Sequence, residues 1–341
     1  MDLTVVDMHT AGEPVRIVTG GYPRLEGRTI LDKRREARER HDHLRRALML
    51  EPRGHAGMYG VIPVEPSDPN AVMGALFTHN EGYSTMCGHA TIALGRWLVE
   101  SGRVPATEGE TRFALELPCG VVRVVCRVEN GRVLGTTFES VPAFASRRDL
   151  LVAVAGHGPV RLDVAYGGAF YAILPSSALG LDLLATPLPR LTEAAVAVTE
   201  AVRRSVPISH PQAGDLGFLY GTILTDDAPF PEPTSNLCVF ADGQIDRSPT
   251  GSGVTARMAL DHARGVAPAG VERLFKGPTG IPFAGRVMGA AGPPVGAVTV
   301  AVSGTSAFSG EATFRLEPDD PLAHGFALPR TFGNLAEWET V

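Results

Sequence analysis

Met86-Cys87-Gly88-His89-Ala90-Thr91-Ile92-Ala93-Leu94-Gly95 and Asp246-Arg247-Ser248-Pro249-Thr250-Gly251-Ser252-Gly253-Val254-Thr255-Ala256 lie far apart in the chain, yet each sets one small reactive side chain directly before a glycine that opens a helix. A helix start offers unsatisfied backbone N–H groups and the positive end of the helix dipole. Two such starts facing each other make a cradle for a small carboxylate. Cys87 and Thr250 then stand on opposite sides of whatever is held. A thiol in that position is expected to have its thiolate stabilised and its pKa drawn from about 8.5 toward neutrality. Cys119, Cys126 and Cys238 have strand-like apolar surroundings and read as small buried hydrophobes.

The helix that begins at Gly88 is expected to reach residue 100 and to close at Ser101-Gly102. Upstream, residues 3–19 alternate as a strand until Gly20-Gly21-Tyr22-Pro23 breaks it. Residues 30–49 have helical character, with Asp32 near the start as a cap and the many charges as a solvated face. Short strands are expected over 57–77, and residues 113–141 are strand-rich around a hairpin turn at Asn130-Gly131. Arg147-Arg148-Asp149 reads as a crossover, after which the plan repeats loosely. Strands are expected around 160–174, a helix over 192–205, strands around 218–224 and 237–240, then the second motif and a helix to Gly265. The pattern predicts an α/β (α+β) protein of two similar lobes.

A length of 341 residues suits two lobes. Apolar residues make up 44% and charged residues 20%, with 39 glycines and 27 prolines, which favours many strands and tight turns over long helices or disorder. The net charge of −6, with basic residues between Lys33 and Arg46 interleaved with Glu36, Glu39 and Asp42, argues against nucleic acid as a partner. The N-terminus lacks the features of a signal peptide, and no apolar run approaches the roughly 18 residues of a membrane span, so a cytoplasmic protein without a membrane partner is expected. Four cysteines without CxxC spacing or a histidine-rich cluster predict neither a disulfide framework nor a metal site. Gly251-Ser252-Gly253-Val254-Thr255-Ala256 fits G-x-G-x-x-A, with Glu272 about twenty residues on. The preceding strand is nevertheless separated from those glycines by Ala241-Asp242-Gly243 and Pro249, so a dinucleotide site is not expected. No H-E-x-x-H, G-x-S-x-G or Walker pattern appears, and His9, His41, His43, His55 and His210 read as structural or solvated.

Asp7-Met8-His9-Thr10-Ala11-Gly12-Glu13-Pro14, the run from His41-Asp42-His43-Leu44-Arg45-Arg46 through Glu51-Pro52-Arg53-Gly54-His55, and the two helix-opening motifs together resemble the proline racemase family over most of the chain. The resemblance implies a diaminopimelate epimerase-like fold: two lobes, each a curved mixed sheet wrapped around a central helix, with the active site in the cleft between them. It implies that the last segment, strand-like over 311–316, returns to the first lobe. The lobes are then residues 1–148 plus 305–341, carrying Cys87, and 149–304, carrying Thr250. It also implies catalysis without a cofactor, a small-molecule substrate and a homodimer as the candidate assembly. Within the site it places His89 at the substrate carboxylate and Asp246 at the ring nitrogen. Backbone N–H groups of Gly88, His89, Gly251 and Ser252 are expected to bind the carboxylate.

The racemases carry a second cysteine where this chain has Thr250, a departure that matches the branch dehydrating trans-3-hydroxy-L-proline. A threonine hydroxyl is too weak an acid or base to return a proton near neutral pH, so racemisation is expected to be blocked. If Cys87 removes the α-proton of a 3-hydroxylated proline, the carbanion-like state can expel the hydroxyl instead, with the thiol able to pass a proton toward it. A 4-hydroxyproline 2-epimerase or proline racemase would need another acid in place of Thr250. A non-catalytic amino-acid-binding protein would keep the cleft but leave Cys87 unreactive.

Overall fold

Two series of strands carry the same connectivity. The computed structural model describes residues 1–328. In the first series β1 (Asp2–Thr10) and β2 (Glu13–Gly20) make a hairpin, and α1 (Ile30–Arg40) and α2 (Asp42–Met49) cross to β3 (Tyr59–Val64). After β4 (Met73–His79) and the short β5 (Gly82–Ser84), α3 (Gly88–Glu100) crosses to β6 (Gly109–Leu117), β7 (Gly120–Glu129) and β8 (Arg132–Glu139). The second series runs through β9 (Phe144–Val154), β10 (Gly158–Tyr166) and β11 (Phe170–Pro175), and α4 (Leu188–Ser205) crosses to β12 (Leu219–Thr225). It continues through β13 (Thr234–Phe240) and β14 (Gln244–Ile245), and α5 (Gly251–Ala263) crosses to β15 (Glu272–Lys276), β16 (Pro282–Ala290) and β17 (Val298–Gly304). The last described strand is β18 (Ser306–Arg315).

β18 pairs antiparallel with β1, which completes the match. Read as β18 and then β1 to β8, the first series pairs antiparallel twice, parallel at β2–β3, antiparallel at β3–β4 and β4–β5, parallel at β4–β6, then antiparallel twice. From β9 to β17 the sequence of pairings is identical, with the parallel steps at β11–β12 and β13–β15. Parallel neighbours need a long crossover, and each parallel step here is bridged by a helical segment. α3 and α5 are therefore equivalent elements, and Cys87 and Thr250 are equivalent residues. An antiparallel contact of β8 with β17 joins the two halves into one mixed sheet system.

Both equivalent helices are sheathed. α3 is buried apart from Arg96 and Glu100, and α5 is buried from Gly251 to Leu260. Helices apolar on every face are stable only as core elements, and the small residues Ala90, Ala93 and Gly95 let strands come close. A Cβ on Gly95 would sit 2.4 Å from the Thr136 methyl. The main core runs through both halves, while a satellite cluster including Ile30, Leu44, Leu48 and Met49 packs α1 and α2 against the first.

Several expectations need correction. Residues 3–19 form a hairpin, because Ala11 and Gly12 adopt positive φ of 51° and 87° and reverse the chain. The long helix breaks at His41, and its cap is Thr29, which shares a capping box with Asp32. The charges of this helix pair are not all solvated. Lys33 is buried and donates to the Glu65 carbonyl, while buried Arg45 clasps Asp42 and donates to the carbonyls of His79 and Asn80. Arg147-Arg148-Asp149 is no crossover but lies inside β9, where the bulge and Asp149 at φ 56° absorb the irregularity. The expected lobe boundary at 148/149 falls within the same strand, and the repeated pairings change hands between Glu139 and Phe144. Cys119 sits in the tight turn between β6 and β7 rather than in a strand. Residues 329–341 of the expected first lobe lie outside the described residues.

Candidate active site

Cys87 is the N-cap of α3. It is extended at φ −142° and ψ 106°, and its sulfur accepts the Ala90 N–H at 3.3 Å, satisfying one of the helix's free donors. His89 Nδ1 lies 3.2 Å from the same sulfur. Thr250 is the N-cap of α5 and takes φ 64°, ψ 93°, an unusual conformation for a β-branched residue that costs on the order of 1–3 kcal/mol and persists only where its surroundings enforce it. They do so here. Asp246 Oδ1 accepts the Ser248 N–H at 2.8 Å, Ser248 Oγ accepts the Thr250 N–H at 3.1 Å, and Thr250 Oγ1 donates to Asp246 Oδ2 at 2.8 Å. Asn236, itself held by buried Arg257, donates to the Pro249 carbonyl.

The two helix starts meet at their glycines. A Cβ on Gly88 would lie 2.4 Å from the Gly251 Cα, and one on Gly251 would lie 2.7 Å from the Gly88 Cα. Around this contact lies a small, tightly closed cavity lined by Tyr59, Met86, Cys87, Gly88, His89, Tyr171, Tyr220, Phe240, Asp246, Thr250, Gly251 and Ser252. All seven residues singled out in the sequence therefore converge on one place. Ser252 Oγ shares a 2.7 Å hydrogen bond with the Tyr171 hydroxyl. Cys238 lies behind Thr250 and does not line the cavity.

The electrostatics depart from expectation. Burial pushes the Cys87 thiol well above its usual range, and nearby Asp246 and Glu13 add to the rise, while the Ala90 N–H only partly offsets it. The helix start does stabilise the thiolate, but desolvation in the closed cleft is the larger effect. Burial also holds His89 down to about 4, so its ring is neutral near pH 7. Among the described residues no lysine or arginine lines the cavity. Arg247 is instead engaged with Glu13, donating from its backbone N–H at 2.8 Å and its guanidinium at 3.1 Å, and it also reaches the Gly57 carbonyl at 3.0 Å. Glu13 is fully buried, its carboxyl is pushed well up by burial and by Asp246, and among the described residues its Oε1 has no hydrogen-bond partner. Among the described residues no cluster of histidine, cysteine and carboxylate side chains has the makings of a metal site, and no helix is long and apolar enough to cross a membrane.

Sequence reasoning missed the phenols Tyr59, Tyr171 and Tyr220 and the Glu13–Arg247 pair. Glu13 and Arg247 lie inside quoted motifs, so their presence was visible, but not their contact. The tyrosines sit in ordinary strand patterns with nothing local to distinguish them.

Two equivalent helix starts, one capped by cysteine and one by threonine, close this site, and residues 5–327 match the proline racemase family model. The chain belongs to that family. It is 52% identical over 334 residues to a trans-3-hydroxy-L-proline dehydratase of Homo sapiens, a match covering 96% of this chain and 94% of that protein. It is 40% identical over 330 residues to a 3-hydroxyproline 2-epimerase of Burkholderia multivorans, covering 96% and 98%. A crystal structure of a hydroxyproline epimerase from Agrobacterium vitis with bound trans-4-hydroxy-L-proline superimposes with a TM-score of 0.91 at 28% identity, covering 100% of this chain and 98% of that one.

Proposed function

We propose that the protein removes water from trans-3-hydroxy-L-proline to give Δ1-pyrroline-2-carboxylate, with no cofactor. The observation that carries this reading is Thr250 at the position equivalent to Cys87. The cavity lining includes a thiol from the cap of one helix and, from the cap of its equivalent, a hydroxyl that is hydrogen-bonded to Asp246. The dehydratase similarity over nearly the whole chain supports it.

The substrate carboxylate lies against the free N–H groups of the two helix starts, at Gly88, His89, Gly251 and Ser252, where preorganised dipoles stabilise the charge that develops as the α-proton leaves. The ring ammonium sits at Asp246. It supplies the positive charge that the cavity lining lacks and so favours the Cys87 thiolate, which burial opposes in the unliganded cleft. Cys87 then takes the α-proton. Thr250 cannot deliver a proton to the opposite face, so the electron pair expels the 3-hydroxyl and the enamine tautomerises to the cyclic imine. Residues 1–143 with the β18 segment, and 144–304, act as the two lobes that close over the substrate. The second lobe brings Asp246 and Thr250 to a thiol held by the first.

A proton NMR time course in D2O with trans-3-hydroxy-L-proline, trans-4-hydroxy-L-proline and L-proline tests the reading. Selective loss of the 3-hydroxy compound is expected, abolished in Cys87→Ser. Deuterium entering the α-position of the other two with inversion would instead establish an epimerase.

A further inference from the structure

We propose that Tyr59 is the acid that protonates the departing 3-hydroxyl, so that Cys87 and Tyr59 form a proton relay on one face of the ring. The inference rests on the dehydratase reading. Tyr59 opens β3, lines the cavity and packs edge-on against the His89 ring, with centroids 4.8 Å apart and planes at 74°. Its hydroxyl shares a hydrogen bond with Ser84 Oγ, it lines the cavity together with Cys87 and Tyr220, and the His89 ring it packs on lies 3.2 Å from the Cys87 sulfur. Ser84 is fully buried and stands behind Tyr59, outside the cavity lining.

Position separates Tyr59 from the other phenols. Tyr171 comes from β11 and is hydrogen-bonded to Ser252 on α5, while Tyr220 comes from β12. Both belong to the half that carries Thr250. Tyr59 and Cys87 come from the other half, Tyr59 from the start of β3 and Cys87 from the cap of α3. In trans-3-hydroxy-L-proline the hydroxyl lies on the ring face opposite the carboxylate, which is also the face of the α-proton. A base at Cys87 thus turns the leaving hydroxyl toward Tyr59.

The balance closes without another reactant. The Cα–H bond breaks and its proton goes to the Cys87 thiolate, and the electron pair forms the Cα–C3 double bond. The C3–O bond breaks, and the oxygen takes the Tyr59 proton and leaves as water. The Tyr59 phenolate then takes the proton from the neighbouring Cys87 thiol across the cavity they both line, restoring phenol and thiolate. Burial keeps the phenol protonated until this step, and the departing hydroxide, whose conjugate acid has a pKa of about 15.7, is basic enough to take the proton. Assigning the acid to Tyr59 frees a single sulfur from having to reach two ring positions in turn.

The test compares wild type with Tyr59→Phe in D2O, on trans-3-hydroxy-L-proline and on trans-3-fluoro-L-proline, whose fluoride needs little protonation to leave. Wild type is measured first, and failure to consume the hydroxy compound would overturn the dehydratase reading itself. With wild type active, Tyr59→Phe is expected to lower water loss by about 100-fold or more, the usual worth of a positioned acid. Recovered substrate should gain α-deuterium, and fluoride release should stay within about fivefold of wild type. Ser84→Ala, which keeps the phenol, should lower water loss by less than about tenfold. Near wild-type dehydration by Tyr59→Phe, or a parallel fall of dehydration, exchange and fluoride release, would overturn the proposal.

Discussion

Cys87 is chemically unlike an exposed thiol at a helix start. Its sulfur has a backbone donor from Ala90, yet burial and two neighbouring carboxyl groups raise its pKa. Alkylation by iodoacetamide in the unliganded protein should therefore be slow near pH 7 and accelerate as pH rises well beyond 9, and a Cys87 already reactive at pH 7 would contradict the closed geometry. Thr250→Cys places a second thiol at the equivalent cap. It should confer α-proton exchange with inversion on trans-4-hydroxy-L-proline, read as solvent deuterium at the inverted carbon. Cys87, Thr250 and their flanking glycines could be recognised in the sequence because a cap and the helix it opens are contiguous. Tyr59 could not, since a tyrosine at the head of an apolar strand looks the same whether it fills core or faces a substrate.

At the scale of elements, α3 and α5 depend on the absence of side chains where they touch. Gly88→Ala or Gly251→Ala would drive a methyl into the opposing helix start, and overpacking of this kind costs about 1–3 kcal/mol. Each should lower the thermal midpoint by several degrees and reduce dehydration by at least about tenfold. Gly292→Ala, with open space around it, should change neither. The extents of α3, α5 and the Asn130-Gly131 hairpin were legible because local signals decide them: a capping residue, a closing Gly102 at φ 73°, a turn that wants positive φ. The break at His41 and the burial of Lys33 and Arg45 were not legible, because they depend on which strand carbonyls lie beneath α1 and α2.

Across the whole molecule, the cleft is fastened by contacts between its two sides. Arg247 holds Glu13 from 234 residues away, and Thr279 donates to the Ala11 carbonyl at 2.8 Å. Arg247→Met should loosen closure, raising KM for the proposed substrate and accelerating alkylation of Cys87 at a given pH. Burial also sets the acid limit of stability. His79 is held down to about 3 and His89 to about 4, against an ordinary 6.5. The folded chain binds fewer protons than the unfolded one over that window, so stability rises with pH there and is lost as pH falls from about 6.5 toward 3, each tenfold weakening of proton binding being worth about 1.4 kcal/mol. Glu13 acts oppositely, since its raised pKa stabilises the fold at low pH and that contribution fades as pH rises through the folded value. The thermal midpoint should fall on acidification below 6.5, and more steeply in Glu13→Gln.

The sequence by itself determined the two glycine-led helix starts, the asymmetry of Cys87 and Thr250, and the family to which they belong, because each is written in a short contiguous run whose backbone preferences are local. Only the tertiary structure decided that the two halves repeat the same strand pairings, that Gly88 meets Gly251, that Tyr59 stands beside Cys87, and that Glu13 is buried against Arg247. Those facts arise from contacts between segments distant in the chain, and burial by the whole fold, rather than the helix start alone, then sets the charge state of the thiol.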